Sequence, residues 1–206
     1  VTSYITDYVS VDDLKAQLRI TDTADDALLA LVITSASRAV DQFTNRRFGL
    51  VPAAIARVFT SYGEDVLKID DTMTTTGLVV KTDTDADGTY ATTLVLGTDF
   101  DMYPANAAAE GMPWTGIQLR ASSAAFFPSV RAGIQVTASW GWTAIPSVVE
   151  IATLIQASRF FVRRDSAYGV AGSPDLGNEL RLQSALDPDV QVALQSVVRW
   201  WGAVAA

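Results

Sequence analysis

Residues 10–48 read SVDDLKAQLRITDTADDALLALVITSASRAVDQFTNRRF, and their spacing sets the architecture. Ser10 precedes an amphipathic turn in which Val11, Leu14 and Leu18 share a face. Asp13 follows three positions on, as in a capping box, and Asp12 and Asp13 suit the positive end of the helix dipole. Thr23 is the predicted cap of a longer helix with Asp25 and Asp26 in its first turn. Its predicted buried face is Leu28, Leu29, Val32, Ala36, Ala39, Val40 and Phe43, spaced three and four apart. Asn45 and Gly49 bracket its end, where Arg46 and Arg47 complement the dipole. The stretch is a helical hairpin.

Outward from it the period changes. Between Pro52 and Trp142 the segments 57–62, 66–69, 78–81, 90–96, 116–120 and 134–140 are short and rich in Val, Ile, Thr and aromatics, which predicts strands. Segments 78–81 and 90–96 are expected to pair as a hairpin across Asp83–Gly88. Helix resumes at SWGWTAIPSVVE (139–150), with either Pro146 at its first position or Ser147 as its cap. Residues 148–162 are apolar almost all round, which predicts burial on several sides and, in a chain this small, burial against another subunit. DSAYGVAGSPDLGN (165–178) reads as a mobile loop, and Asp187-Pro188 opens a last helix with Val190, Leu194, Val197 and Trp201 on one face. The expected fold class is α+β. A helical hairpin and two C-terminal helices form a small bundle (1–50 and 143–206), interrupted by an all-β insert of short antiparallel strands (51–142).

The chain of 206 residues contains no cysteine and no histidine. That removes disulfides, thiolate chemistry, the commonest general acid–base and the usual activator of a Ser nucleophile. No run approaches the roughly 18 apolar residues of a membrane span, so no membrane association is expected. The net charge is −8, and residues 64–110 alone hold ten acids against two bases. A protein gripping DNA through its phosphates needs a basic stripe, and the sequence has none. One that lets DNA slide past could present acid instead. Asp83, Asp85, Asp87, Asp99 and Asp101 are the candidates to face such a channel.

Asp83-x-Asp85-x-Asp87-Gly88 matches the first half of a calcium loop, but the twelfth position, which should be a bidentate Glu, is Leu94. An acidic hairpin turn is the stronger reading, with a calcium-dependent binding or adhesion module as the alternative. Trp140-Gly141-Trp142 reads as a core corner with Gly chosen for its backbone. Ile151, Leu154, Ile155, Phe160 and Phe161 are the candidate intersubunit contacts. Arg163 and Arg164 close that helix, and Trp200 and Trp201 stand near a chain end; these four are the candidates for docking a partner. No phosphate loop, no activated nucleophile and no cofactor motif is present, so a carboxylate-only hydrolase is a weak third reading. No catalytic residue, metal or cofactor is assigned.

The run Val11–Leu18, Ile20, Asp25–Leu29 and Ala36 to Phe48 resembles the N-terminal hairpin of the tailed-phage head–tail connector (adaptor) family. Trp140-Gly141-Trp142 to Pro146, with the apolar helix ending at Arg163-Arg164, resembles that family's second half. DADGTYATTLVLGTDFDMYP (85–104) is similar to the β segment of connectors from phages of high-GC Gram-positive bacteria. The insert at 51–142 is longer than the connection in smaller members. The resemblance implies a non-catalytic virion neck protein made in the host cytoplasm. It implies a twelve-subunit ring beneath the portal protein that continues the DNA channel without specific binding. It also implies a platform for a head-completion, stopper or tail-terminator protein.

Overall fold

The structure, a computed structural model, describes residues 7–51, 53–164, 170–171, 180–181 and 186–199. They fall into two compact units, Gly49–Ala144 and residues 7–48 with 145–199. The fold is mixed α+β, as expected.

In the helical unit, α1 (Val11–Leu18) opens on the predicted box. Asp13 N–H donates to Ser10 Oγ at 3.1 Å and Ser10 N–H to Asp13 Oδ2 at 3.0 Å. Those bonds hold the Asp13 carboxyl below its ordinary range. Helix α2 (Asp26–Thr44) starts later than the sequence suggested, with Asp25 rather than Thr23 at the cap and no side-chain capping bond. Asp22 accepts the Ala24 N–H in a tight turn, and the Asp25 carboxylate faces Arg164 rather than its own helix. The buried face of α2 is turned about one residue from the prediction. Leu29, Ile33, Ala36, Ser37, Val40 and Thr44 are buried, while Leu28, Val32, Ala39 and Phe43 are half-buried. Ser37 and Thr44 tolerate the interior because each hydroxyl donates to the carbonyl one turn back, Ile33 at 2.9 Å and Val40 at 2.8 Å.

Helix α3 (Ser147–Arg163) has Pro146 itself at the cap, neither of the two arrangements expected. It packs on α1, α2 and α4 (Pro188–Leu194), making it the central helix of this unit. Leu14, Leu29, Ile33, Ala36, Ala157 and Phe161 form the shared core. Fully burying one such Leu or Ile stabilises by roughly 1.5–3 kcal/mol. Helix α4 opens at Asp187-Pro188 as predicted, with Asp187 at the cap, and a 3-10 turn (Gln195–Val197) follows. Val190, Leu194 and Val197 are buried, while Trp201 lies outside the described residues. Of the stretch 165–178 expected to be a loop, 170 and 171 are described. They form β8 (Val170–Ala171), antiparallel to β9 (Leu180–Arg181). No helix among the described residues is long and apolar enough to cross a membrane.

The other unit is two antiparallel sheets. One has the order β1-β7-β3-β4, from Ile55–Phe59, Ile134–Ala138, Val79–Thr82 and Thr92–Leu94; the other has β2-β6-β5, from Val66–Thr72, Trp114–Leu119 and Phe100–Tyr103. Strand β7 alternates as a half-buried strand must, with Ile134, Val136 and Ala138 buried and Gln135 and Thr137 half-exposed. The β3–β4 hairpin forms where predicted, with Thr82 opposite Thr92. Strand β5 was not foreseen. Both sheets line one core that includes Leu67, Val80, Phe100, Ile117, Val136 and Trp140.

Candidate functional site

The register fixes which loops meet. Phe59 and Thr82 both oppose Ile134, so the end of β1, the end of β3 and the start of β7 share one end of the unit. Val66 opposes Gln118 and Phe100 opposes Leu119, which brings the starts of β2 and β5 and the end of β6 to that same end through the β1–β2 turn. It lies opposite the segments by which the chain enters (49–54) and leaves (139–144). Asp83, Asp85 and Asp87 lie in the β3–β4 loop at this pole, whereas Asp99 is bonded to Val95 N–H, past the far end of β4, and Asp101 follows it on β5.

Their roles differ. Asp83 is a turn former, its two oxygens each accepting at 2.9 Å from Ala86 N–H and Gly88 N–H. Burial opposes its charge, but these donors outweigh burial and hold its pKa below the ordinary value. Asp87 accepts from Thr89 N–H, and Asp85 and Asp87 are exposed. Carboxylate oxygens of the three lie within 4.8 Å of one another, close enough to share an ion. However, the position where a calcium loop needs its bidentate Glu is Leu94, buried in the sandwich core. Asp99 accepts from Ser123 Oγ at 2.7 Å and Val95 N–H at 2.8 Å, which lowers its pKa. Asp101 pairs with Arg120 Nε at 2.6 Å. Asp70 pairs with Arg57, and buried Asp71 accepts the Trp142 indole N–H at 3.0 Å. Much of the acid in residues 64–110 thus serves local structure, and Glu64, Asp65, Asp85 and Asp87 are the acids left exposed at this pole.

Sequence reasoning missed how that pole is braced. Asp83 N–H donates to Gly133 O at 2.8 Å, Tyr90 Oη to Ala132 O at 2.8 Å, and Ala132 N–H to Thr60 Oγ1 at 2.9 Å. Three loops (60–65, 83–91 and 120–133) are tied together. Bonds from a loop tip to a residue 42 or 72 positions away leave no local sequence signal.

On α3 the candidates separate. Phe161, one of the candidate intersubunit contacts, is buried in the helical unit's own core. Leu154 and Phe160 are half-buried against the same cluster. The apolar girth that suggested a neighbouring subunit is covered largely by α1, α2 and α4 of the same chain. What remains open on α3 is Ile151 and Val162, each 57% exposed, in a stripe whose other members, Val148, Ile155 and Ser158, are half-buried. Its spacing of three and four is that of a helix–helix seam.

Arg164 forms a two-pronged pair with Asp25 at 2.7 and 3.2 Å, and its guanidinium covers the Phe161 ring at 4.3 Å. It holds the end of α3 to the start of α2. Arg163 is half-exposed beside it; Trp200 and Trp201 lie outside the described residues. A further cluster was unforeseen. Tyr8 Oη donates to Asp41 and accepts the Phe48 N–H at 3.0 Å, with Arg38 paired to Asp41 at 2.9 Å. Burial raises both the Tyr8 and the Asp41 pKa.

Residues 8–80 match the family model of phage gp6-like head-tail connector proteins, bearing out the resemblance read from the sequence. No curated protein matches the chain. Among solved structures, the chain is similar to one from the neck of an empty gene transfer agent particle computed with C6 symmetry. The TM-score is 0.56 and the identity 16%, over 98% of this chain and 96% of that one. It is also similar to a chain of the virion of a native gene transfer agent particle, with TM-score 0.51 and 19% identity, over 84% and 87% of the two chains. At these identities the likeness is one of fold.

Proposed function

We propose that this chain is a structural subunit of a virion neck, a head–tail connector that joins a DNA-filled head to the next neck or tail component. The observation that carries the reading is fold likeness running nearly end to end, 98% of this chain on 96% of a neck chain, together with the connector-family match at residues 8–80. A fragment of similarity could reflect a shared helical hairpin; likeness over both units is harder to obtain by reuse of one motif.

In this reading copies form a closed ring, of twelve in the connector family, beneath a portal protein. A head-completion, stopper or tail-terminator protein binds on the other side, and DNA passes through without specific contact. A cyclic ring uses heterologous contacts, each subunit offering two different surfaces. The stripe of exposed Ile151 and Val162 with half-buried Val148 and Ile155 is the surface we assign to one side of that contact, because exposed aliphatics in helical register are what a neighbour would cover. No chemistry is assigned to the chain, and its work is geometric.

The test is mass measurement and negative-stain imaging of the purified protein with and without the portal protein of the same particle. A ring on the portal is expected. A chain that stays monomeric with portal, and is missing from purified particles, would sink the reading.

A further inference from the structure

We infer that the braced acidic pole of the β unit is a protein-docking face for a basic partner, rather than a wall past which DNA glides. Two exposed aromatics carry the argument. Tyr62 is 78% exposed and Phe126 59% exposed, and both sit in loops of that pole. The Tyr62 turn lies against the 120–133 loop, since a Cβ on Gly63 would meet Ser129 Oγ at 3.3 Å. Phe126 falls between Ser123, bonded to Asp99, and Ser129. A surface evolved only to repel a polyanion gains nothing from exposed rings, whereas Tyr and Phe are enriched where proteins meet. The neighbouring exposed side chains are acidic, Glu64, Asp65, Asp85 and Asp87, with Arg131 the exposed base of the 120–133 tip. Nucleic acid stacked on the rings would need flanking bases to neutralise its phosphates. Bracing of the three loops also lowers the cost of ordering them on binding.

The partner is therefore a protein surface presenting Lys or Arg around an apolar socket. It belongs to another component rather than a second copy. A second copy carries the same net charge of −8, and its Lys15, Arg38, Arg57, Arg120, Arg159 and Arg164 each already hold a carboxylate of their own chain. That the component is a neighbour in the neck rests on the function proposed above.

The experiment assembles particles in which the chain carries Tyr62→Ser with Phe126→Ser, or Asp85→Lys with Asp87→Lys. Ala108→Lys, exposed in the loop at the opposite end, serves as control. Ring formation on portal, joining of heads to tails, and DNA ejection are scored separately. Both pole variants should melt as wild type does and form rings, yet reduce joining about tenfold or more, with the control unaffected. Normal joining by the pole variants overturns the inference, as does normal joining with slowed ejection in the lysine variant, which would mark a channel wall. Loss of rings by folded pole variants also overturns it, making the pole a contact between copies. If wild-type protein is not in the neck at all, the proposed function fails first, and visibly so.

Discussion

The carbonyl of Gly49 packs against the Cα of Gly141, in the space a side chain at 141 would occupy. Around this contact Val51 N–H donates to Trp140 O at 2.8 Å, and Trp142 N–H donates to Gly49 O at 3.2 Å. The segments that begin and end the β unit therefore run side by side and close it. Gly141 also sits at φ 104°, outside the range that L residues adopt without strain.

Gly141→Ala should lower stability by about 3 kcal/mol, through backbone strain and overlap with the Gly49 oxygen. Gly88→Ala is the matched control: φ is 84°, but the added carbon meets open space. It carries strain alone and should cost about 1 kcal/mol. Denaturation midpoints compare the two, and equal costs would show that the close approach is not limiting.

Tyr8→Phe should cost roughly 1–3 kcal/mol, because it leaves the buried Phe48 N–H without its acceptor. Asp41 adds a pH signature. Its folded pKa is raised, chiefly by burial, so the folded state binds the proton more tightly than the unfolded one. That contribution is fully present below the ordinary carboxylate pKa and is lost as pH rises through the raised folded value. Thermal melts of Asp41→Asn should lose this downward slope above the ordinary carboxylate pKa while wild type retains it. Parallel curves would refute the assignment.

The helices were legible because their signals are local. Ser10 and Asp13 are three residues apart, and the Asp87-Gly88 turn lies between strands that pair directly. Strand β5 escaped because Phe100, Asp101, Met102 and Tyr103 span barely one alternation, so pairing with β6 decides it rather than propensity. The acidic pole was readable as composition but not as a place, since assembling it needs the register of both sheets. The burial of Phe161 within its own unit was not legible for the opposite reason. An apolar helix looks the same from sequence whether its cover comes from α1, α2 and α4 or from another subunit.

Ile151→Asp and Val162→Lys should leave the melting transition nearly unchanged, within about 0.5 kcal/mol, because both positions are open in the subunit. Both should block ring assembly. Phe161→Asp should instead unfold the helical unit, placing a charge in its core at a cost of several kcal/mol. Circular dichroism and mass measurement separate the outcomes. Normal rings from Ile151→Asp would remove the stripe from the ring contact.

Thr115→Val should stabilise by roughly 1 kcal/mol. Thr115 is buried on β6, and its Oγ1 has no hydrogen-bond partner among the described residues. An isosteric methyl removes that unmet polar group while filling the same space. A destabilised variant would mean that the hydroxyl is satisfied.

The Asp25–Arg164 pair should reveal itself by its pH dependence. Arg164 hydrogen-bonds to Asp25 and lowers its folded pKa. The stabilisation is present above the ordinary carboxylate pKa and is lost as pH falls through the lowered folded value. Asp25→Asn should melt a little below wild type at neutral pH, and the two should converge in acid, below the lowered folded value. Arg164→Gln should melt lower still and not converge fully. It also loses the guanidinium stacked on Phe161, a contact insensitive to the protonation of Asp25. Salt should shrink the Asp25→Asn difference, as screening requires of a pair this exposed. A difference for Asp25→Asn that persists unchanged into acid would show that Asp25 acts at the start of α2 as a helix residue, and not as the partner of Arg164.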